Sequence, residues 1–432
     1  MRISRMAAAM AATTTLLTVA ATAAATAATP ASAHRPPPRP NVVVEWNQAL
    51  LTIAQTPGAV PATMQPTRAF AIMSAAVFDA VDAIDRDGPQ YRTRLVAPRT
   101  ASQRAAAATA AHDVLRGLFP SFADSLDQRL AADLAAEPAG RSRDAGARVG
   151  ARAAAALLAL RANDGSTATP PAYVTTGQPG DFRPTPPAMA APVFTHWAAV
   201  TPFLLSRGDR FRPPPPPALP SRDYADAIDE VRRLGQDTST TRTPEQTTIG
   251  QFWAGPIQNY WNAITETVVL AHRSDTAVSA RVFALVDLGL ADATIAMYDA
   301  KYTYRLWRPI TAIRLADTDG NPRTAGDPAW TPLATTPADP SYPGAHSTLS
   351  ATAATVLAAA YGDRTSFSVT SPLTPGVTRS FSRFSAAVTE AGLSRIYAGI
   401  HTRIDHRAGV ALGTRVGADT LVQLARGNNC RD

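Results

Sequence analysis

The chain has 432 residues, 45% of them apolar and 17% charged, the balance of a globular protein large enough for a sizeable core. Its single cysteine, Cys430, excludes an internal disulfide and a cysteine metal cage. The net charge of +7 is spread along the chain, without the basic run of a nucleic-acid reader, and suits a small anionic substrate better.

The N-terminus reads as an export signal. Arg2 and Arg5 precede an uncharged Ala/Thr-rich stretch over 7–29, and Ala31-Ser32-Ala33 offers a small-residue cleavage site before His34. Residues 1–33 are therefore expected to be a signal peptide, 34–432 a single mature domain, and the protein secreted. No later segment approaches eighteen apolar residues, so no membrane span is expected. His34 to Pro40 reads as an extended polyproline lead-in.

Apolar residues then recur at helical spacing in Val42 to Ala54 and more strongly in Thr67 to Ile84, where Asp85-Arg86-Asp87-Gly88 forms a stop. The pattern continues through Ala101 to Leu118, Phe122 to Ala135 and Arg143 to Ala162, and Asn163-Asp164-Gly165 breaks it. From 166 to 221 the chain turns rich in Pro, Gly and Thr yet carries Phe182, Phe194, Trp197, Phe203 and Phe211. That mixture predicts an ordered loop wrapped over a helical body. Helices are expected again at Tyr224 to Leu234, Pro244 to Trp253, Tyr260 to His272, Ala277 to Tyr304, Pro343 to Tyr361 (starting near His346), Phe384 to Leu393 and His401 to Ala425. Alanine-rich, β-branch-poor stretches favour helix, and no alternating strand pattern stands out, so the expected fold is all-α.

Three clusters in the last third carry chemistry. Lys301, the one lysine among forty-one basic residues, opens Lys301-Tyr-Thr-Tyr-Arg-Leu-Trp-Arg308-Pro309. An ammonium point charge and a planar guanidinium together suit a tetrahedral oxyanion. In Pro340-Ser-Tyr-Pro343-Gly344-Ala345-His346-Ser347, a Pro-Gly turn leads into a helix start that aims free N–H groups and a histidine at whatever lies ahead. In Ser394-Arg395-Ile-Tyr-Ala-Gly-Ile-His401-Thr-Arg-Ile-Asp405, His401 and Asp405 stand four apart, expected on one helix face. The carboxylate then holds one ring nitrogen as a donor and leaves the other free to attack or to ligate. Summed, the clusters supply fixed cations, a helix N-terminus, one imidazole for bonding and another for proton transfer, which is what a pentavalent oxyanion requires. Single histidines elsewhere (His112, His196, His272, His406) read as structural, surface or loop residues, with His196 a candidate pocket-lining side chain.

In these blocks the chain resembles the vanadium-dependent haloperoxidases and the type 2 phosphatidic acid phosphatases (acid phosphatases), whose shared signature is K-x6-R-P, P-S-G-H and S-R-x5-H-x3-D. Lys301 to Pro309 and Ser394 to Asp405 match fully. Thr67 to Ile84, Phe182 to Pro187, Arg242 to Trp253 and Ala291 to Pro309 are similar to the secreted haloperoxidase branch. The resemblance implies an all-α fold of helical bundles, with Lys301, Arg308 and Arg395 on the equatorial oxygens of vanadate or phosphate. It also implies His401 as the axial vanadium ligand or the phosphatase nucleophile, Asp405 orienting it, and His346 as general acid/base. The implied activity is halide oxidation by hydrogen peroxide with a small organic acceptor. The alternatives are a secreted acid phosphatase acting on a phosphate ester through a phosphohistidine, and a non-catalytic oxyanion binder. The second block departs from the signature. Gly344-Ala345 replaces Ser-Gly, leaving the Ala345 N–H in place of a serine hydroxyl. Asp339, seven residues before His346, is expected to bring a carboxylate near the pocket, which disfavours halide.

Overall fold

The long helix Thr276–Tyr304 organises the molecule. The computed structural model describes residues 40–60 and 64–426; the signal segment, most of the polyproline lead-in and Cys430 lie outside them. In chain order the helices are α1 (Val42–Gln55), α2 (Pro66–Asp85), α3 (Gln103–Leu118), α4 (Ala123–Ala135), α5 (Arg141–Arg161), α6 (Arg222–Gly235), α7 (Pro244–Phe252), α8 (Ile257–Ala271), α9 (Thr276–Tyr304), α10 (Pro309–Arg314), α11 (Ala345–Tyr361), α12 (Phe384–Tyr397) and α13 (Arg403–Arg426). The fold is all-α. At 1.5 Å per residue α9 runs roughly 44 Å, with its sides buried along most of that length. One flank packs against α2, which in turn meets α3 and α5; the other packs against α11 and α13. Every residue of α2 except Arg68 and Asp85 is buried, which explains an apolar pattern wider than a single stripe.

The segment 166–221 does wrap the body, and buried carboxylates anchor it. Asp292 on α9 accepts the N–H groups of Phe203, Leu204 and Leu205 at 2.6, 2.7 and 2.7 Å. Burial pushes its carboxyl up to about 6. Phe182, Trp197 and Phe203 are buried beneath the wrap, which is why a proline-rich stretch carries so many aromatic side chains.

Two small elements depart from expectation. Phe367–Thr370 (β1) and Thr378–Phe381 (β2) form an antiparallel hairpin, with Phe367 opposite Phe381 and Thr370 opposite Thr378. Four-residue strands are too short to register as a period-2 pattern. The six-residue α10 was likewise not expected from periodicity.

α11 and α13 approach unusually closely along Gly409, Gly413 and Gly417, one residue per turn of α13. A Cβ on Gly413 would sit 2.0 Å from the Thr348 carbonyl oxygen, and one on Gly409 would sit 2.6 Å from that of Gly344. This contact sets the start of α13 against the start of α11, where the Gly344 N–H donates to the Asp405 carbonyl at 3.0 Å.

Candidate active site

Each signature block changes backbone direction at the point where it places its side chain. Lys301 lies in the last turn of α9, which Arg305 closes in a left-handed conformation (φ 53°). The chain then runs extended to Arg308, the residue before Pro309. Proline disfavours helical backbone at the preceding residue, and Arg308 adopts φ −83°, ψ 156°. Lys301 and Arg308 thereby converge on one acid. Asp339 Oδ2 is 3.4 Å from Lys301 Nζ, and Asp339 Oδ1 pairs with Arg308 Nη2. Lys301 also donates to the carbonyls of Pro340 and Ser341.

The third block ends α12 in a Schellman turn. Gly399 (φ 79°) occupies the left-handed position, its N–H donates to the Ile396 carbonyl, and the Ile400 N–H donates to that of Arg395. The reversal leaves Arg395 in the last turn of α12 and His401 beside it in the loop. His401 and Asp405 therefore do not share a helix face as expected, because α13 begins only at Arg403. Asp405 instead closes a capping box. Its carboxylate accepts the Thr402 N–H at 2.8 Å, and the Thr402 hydroxyl accepts the Asp405 N–H at 3.3 Å. From there Oδ2 reaches His401 Nδ1 at 3.2 Å and accepts the Ser341 hydroxyl at 2.7 Å.

That arrangement decides the state of His401. A carboxylate only accepts, so Nδ1 carries the proton and Nε2 presents a lone pair, which faces Arg308 Nη1 at 3.0 Å. Burial, and then the Arg308 charge, push the His401 pKa down to about 3. Burial and the nearby Arg395 charge hold His346 well below its usual value, and its Nε2 lies 2.7 Å from the Trp253 carbonyl. Both shifts favour the neutral imidazole.

The floor of the site is cationic. Arg308 is 1% exposed; its Nε and Nη1 donate to the carbonyls of Asp339 and Ile400. Arg395, also buried, donates from Nη1 to the Trp253 carbonyl at 3.3 Å, while its Nε has no partner. Burial pushes Arg395 down to about 10 and Lys301 down to about 8. For Asp339, burial favours the protonated form, but the charges of Lys301 and Arg308 outweigh it and hold the carboxyl below its usual range.

These groups surround a cavity of about 150 Å³ lined by Arg308, Asp339, Ala345, His346, Arg395 and His401, with Tyr298, Met64 and Val193 among its apolar walls. The volume equals that of roughly five liquid waters at ~30 Å³ each, the scale of a tetrahedral oxyanion with a small co-reactant. Five of the seven residues singled out from sequence line it; Lys301 and Asp405 stand behind Asp339 and His401. Ala345 opens α11 behind Gly344, an N-cap without a side chain, so the first-turn N–H groups of α11 meet no side-chain cap.

Three contributors escaped sequence reasoning. Ser341, two residues from Pro343, holds Asp405. The Trp253 carbonyl joins His346 to Arg395 but leaves no side-chain signal. Asp339 was expected nearby; its grip on both cations was not. The other histidines lie off the site. His406 pairs with Ser347 Oγ at 2.8 Å and is half-buried against Gly392, so it packs rather than faces solvent. His112 bridges Asp113 and Asp127, His272 packs at a tilt against the Tyr361 ring, and His196 contacts the Ser166 carbonyl outside the cavity lining.

The chain is similar to known proteins in both sequence and fold. Residues 281–428, which carry all three blocks, match the family profile of the VCPO second helical-bundle domain. The structure is similar to that of a bacterial vanadium-dependent iodoperoxidase, with a TM-score of 0.77 and 25% identity over 90% of this chain and 98% of that one. Residues 281–428 thus carry the VCPO-type second helical bundle, and the fold of the chain is similar to that of bacterial vanadium-dependent haloperoxidases. A bacterial vanadium-dependent chloroperoxidase shares the fold at a TM-score of 0.71 and 17% identity, over 90% of this chain and 98% of that one. Vanadium chloroperoxidase of Curvularia inaequalis is 28% identical over a stretch covering 35% of this chain and 28% of its own length.

Proposed function

We propose that the protein is a vanadate-dependent haloperoxidase-type enzyme that oxidises halide with hydrogen peroxide. The observation that carries this reading is His401. Its Nδ1 proton is fixed by Asp405, and its Nε2 lone pair borders a cavity walled by buried cations. The residues fit a tetrahedral oxyanion: Arg395 Nε is a buried donor without a partner, and the first turn of α11 offers the Ala345 N–H. Vanadate, when bound, supplies Lewis-acid activation of peroxide.

In this reading Arg308, Arg395 and the Ala345 N–H would hold the oxyanion's oxygens, and Lys301 adds its charge from behind Asp339. His401 Nε2 would bond the vanadate, and Asp405 keeps the ring in its Nδ1–H form. With its Nε2 proton held by the Trp253 carbonyl, His346 has Nδ1 left as acceptor, and at that atom it takes up and returns a proton. Export, read from Arg2, Arg5 and Ala31-Ser32-Ala33, belongs to the same proposal; N-terminal sequencing of protein from culture medium should begin at His34.

Asp339 favours a second reading. A carboxylate at the cavity wall repels halide, whereas a phosphate ester offsets that repulsion with several hydrogen bonds to Arg308 and Arg395 that a halide ion cannot match. In that reading His401 Nε2 attacks phosphorus as the bond to the leaving alkoxide breaks, and His346, once it has taken up a proton at Nδ1, returns it to the alkoxide. Purified protein should be assayed for bromide, chloride and iodide oxidation with peroxide, with and without orthovanadate, beside p-nitrophenyl phosphate hydrolysis. Vanadate-dependent halide oxidation is the expected result. Ester hydrolysis inhibited by vanadate, without halide oxidation, overturns the first reading in favour of the second.

A further inference from the structure

A second, larger space adjoins the cationic cavity. It is a groove of about 840 Å³ between the end of α1, the first turns of α8 and the turn joining β1 to β2, and it shares Gly255 and Pro256 with the cavity. The connector Trp253–Pro256 thus faces both spaces. On the cavity side its Trp253 carbonyl receives His346 and Arg395. Toward the groove, Tyr260 packs on Trp253 with ring centroids 5.1 Å apart and shares a 2.8 Å hydrogen bond with Ser371. A Cβ on Gly255 would lie 3.0 Å from the Tyr260 hydroxyl, a tight contact.

We propose that this groove binds the organic acceptor of the halogenation, a neutral, electron-rich, hydroxylated aromatic molecule. The proposal rests on the haloperoxidase reading for its chemistry and on the groove for its ligand class. Among the described residues no acidic or basic side chain lines the groove, so a charged ligand finds no counter-ion in it. Its walls include Pro256, Tyr260, Pro372 and Leu373, flat and apolar, and Leu373 is 55% exposed at the turn. Asn259 lines the groove and is over nine-tenths buried, yet its amide oxygen has no partner, which suits a ligand hydroxyl donor. The volume falls in the ordinary range of ligand pockets, roughly 300–1,000 Å³.

The shared wall places such a molecule beside the source of the oxidant. Halide loses two electrons to peroxide, whose O–O bond breaks, giving hypohalous acid and water. The arene then forms a C–halogen bond and loses its C–H proton, and the halogen–oxygen bond breaks to release a second water. Overall, arene, halide, peroxide and one proton give haloarene and two waters.

The test is calorimetric titration of the full-length protein with 2-naphthol, in the absence of vanadate and peroxide. Wild type should bind one equivalent. Ala263→Trp, which fills the groove from α8, should weaken binding at least tenfold, and Leu373→Asp at the exposed turn at least fivefold. Circular dichroism checks folding, and if Ala263→Trp does not fold, Leu373→Asp alone decides. No binding by wild type up to millimolar naphthol, or equal affinity in the folded variants, overturns the proposal. Because the titration needs no halide oxidation, failure of the haloperoxidase reading and failure of the groove are told apart. Where both hold, the KM for naphthol bromination should rise in parallel with the dissociation constant.

Discussion

Asp339 grips Arg308 from two sides: its carboxylate pairs with Nη2, and its backbone carbonyl accepts Nε at 2.7 Å. The same carboxylate lies 3.4 Å from Lys301, so one acid offsets two of the three cations at the site. An incoming oxyanion must compete with it. Asp339→Asn keeps the shape but removes the charge, and should tighten sulfate or vanadate binding roughly tenfold, about 1.4 kcal/mol. Breaking a buried ion pair costs about 3–5 kcal/mol, so the variant's melting temperature should drop without oxyanion and recover when sulfate is saturating. Weaker sulfate binding would mean that Asp339 positions the cations more than it neutralises them.

Lys301 gives the site a pH limit. With its pKa pushed down to about 8, the lysine loses charge in alkaline buffer. A bound anion favours the charged form and raises that pKa, so binding takes up a proton above pH 8. Sulfate affinity should be flat below about pH 8 and fall as pH rises beyond it. Sulfate does not itself titrate there, so calorimetry across pH 6.5–10 reads the protein alone. In Lys301→Arg the decline should move to above about pH 10, where Arg395 titrates.

The Gly344-Ala345 departure can be repaired. A Cβ on Gly344 would meet the Asp405 carbonyl oxygen at 3.3 Å, a tight contact that small shifts relieve. Gly344→Ser with Ala345→Gly should tighten vanadate roughly ten- to a hundredfold, from one hydrogen bond to a charged group worth about 1.5–3 kcal/mol. Unchanged affinity in equilibrium dialysis would show that the Ala345 N–H already fills the role.

Gly413 tests the α11–α13 contact. Gly413→Ala forces a methyl to within 2.0 Å of the Thr348 carbonyl unless the helices part. It should lower the unfolding free energy by about 1–3 kcal/mol in denaturant titration. Because the same contact sets Asp405 against Gly344, sulfate affinity should fall as well.

The sequence made the helices legible because alanine-rich faces at 3.6 spacing are a strong local signal, and α2, α9 and α13 lie within a few residues of expectation. The cations were legible through the isolation of Lys301 and the Arg308-Pro309 pair. The setting of His401 was only half legible: its partner Asp405 was expected, but the Schellman turn at Gly399 and the cap at Thr402 lift the histidine off the helix. The double grip of Asp339 depends on how residues 339–344 run past α9, a tertiary relationship that periodicity does not encode. A backbone acceptor such as the Trp253 carbonyl has no sequence signature.

The proposed chemistry turns on His401 Nε2 as the atom that bonds the oxyanion. Equilibrium dialysis of orthovanadate against wild type and His401→Ala, with bromide oxidation measured on the same samples, tests it most directly. Wild type should retain vanadate, and the variant should lose both retention and turnover while its helical circular dichroism is unchanged. Vanadate-dependent bromide oxidation surviving in His401→Ala would contradict it.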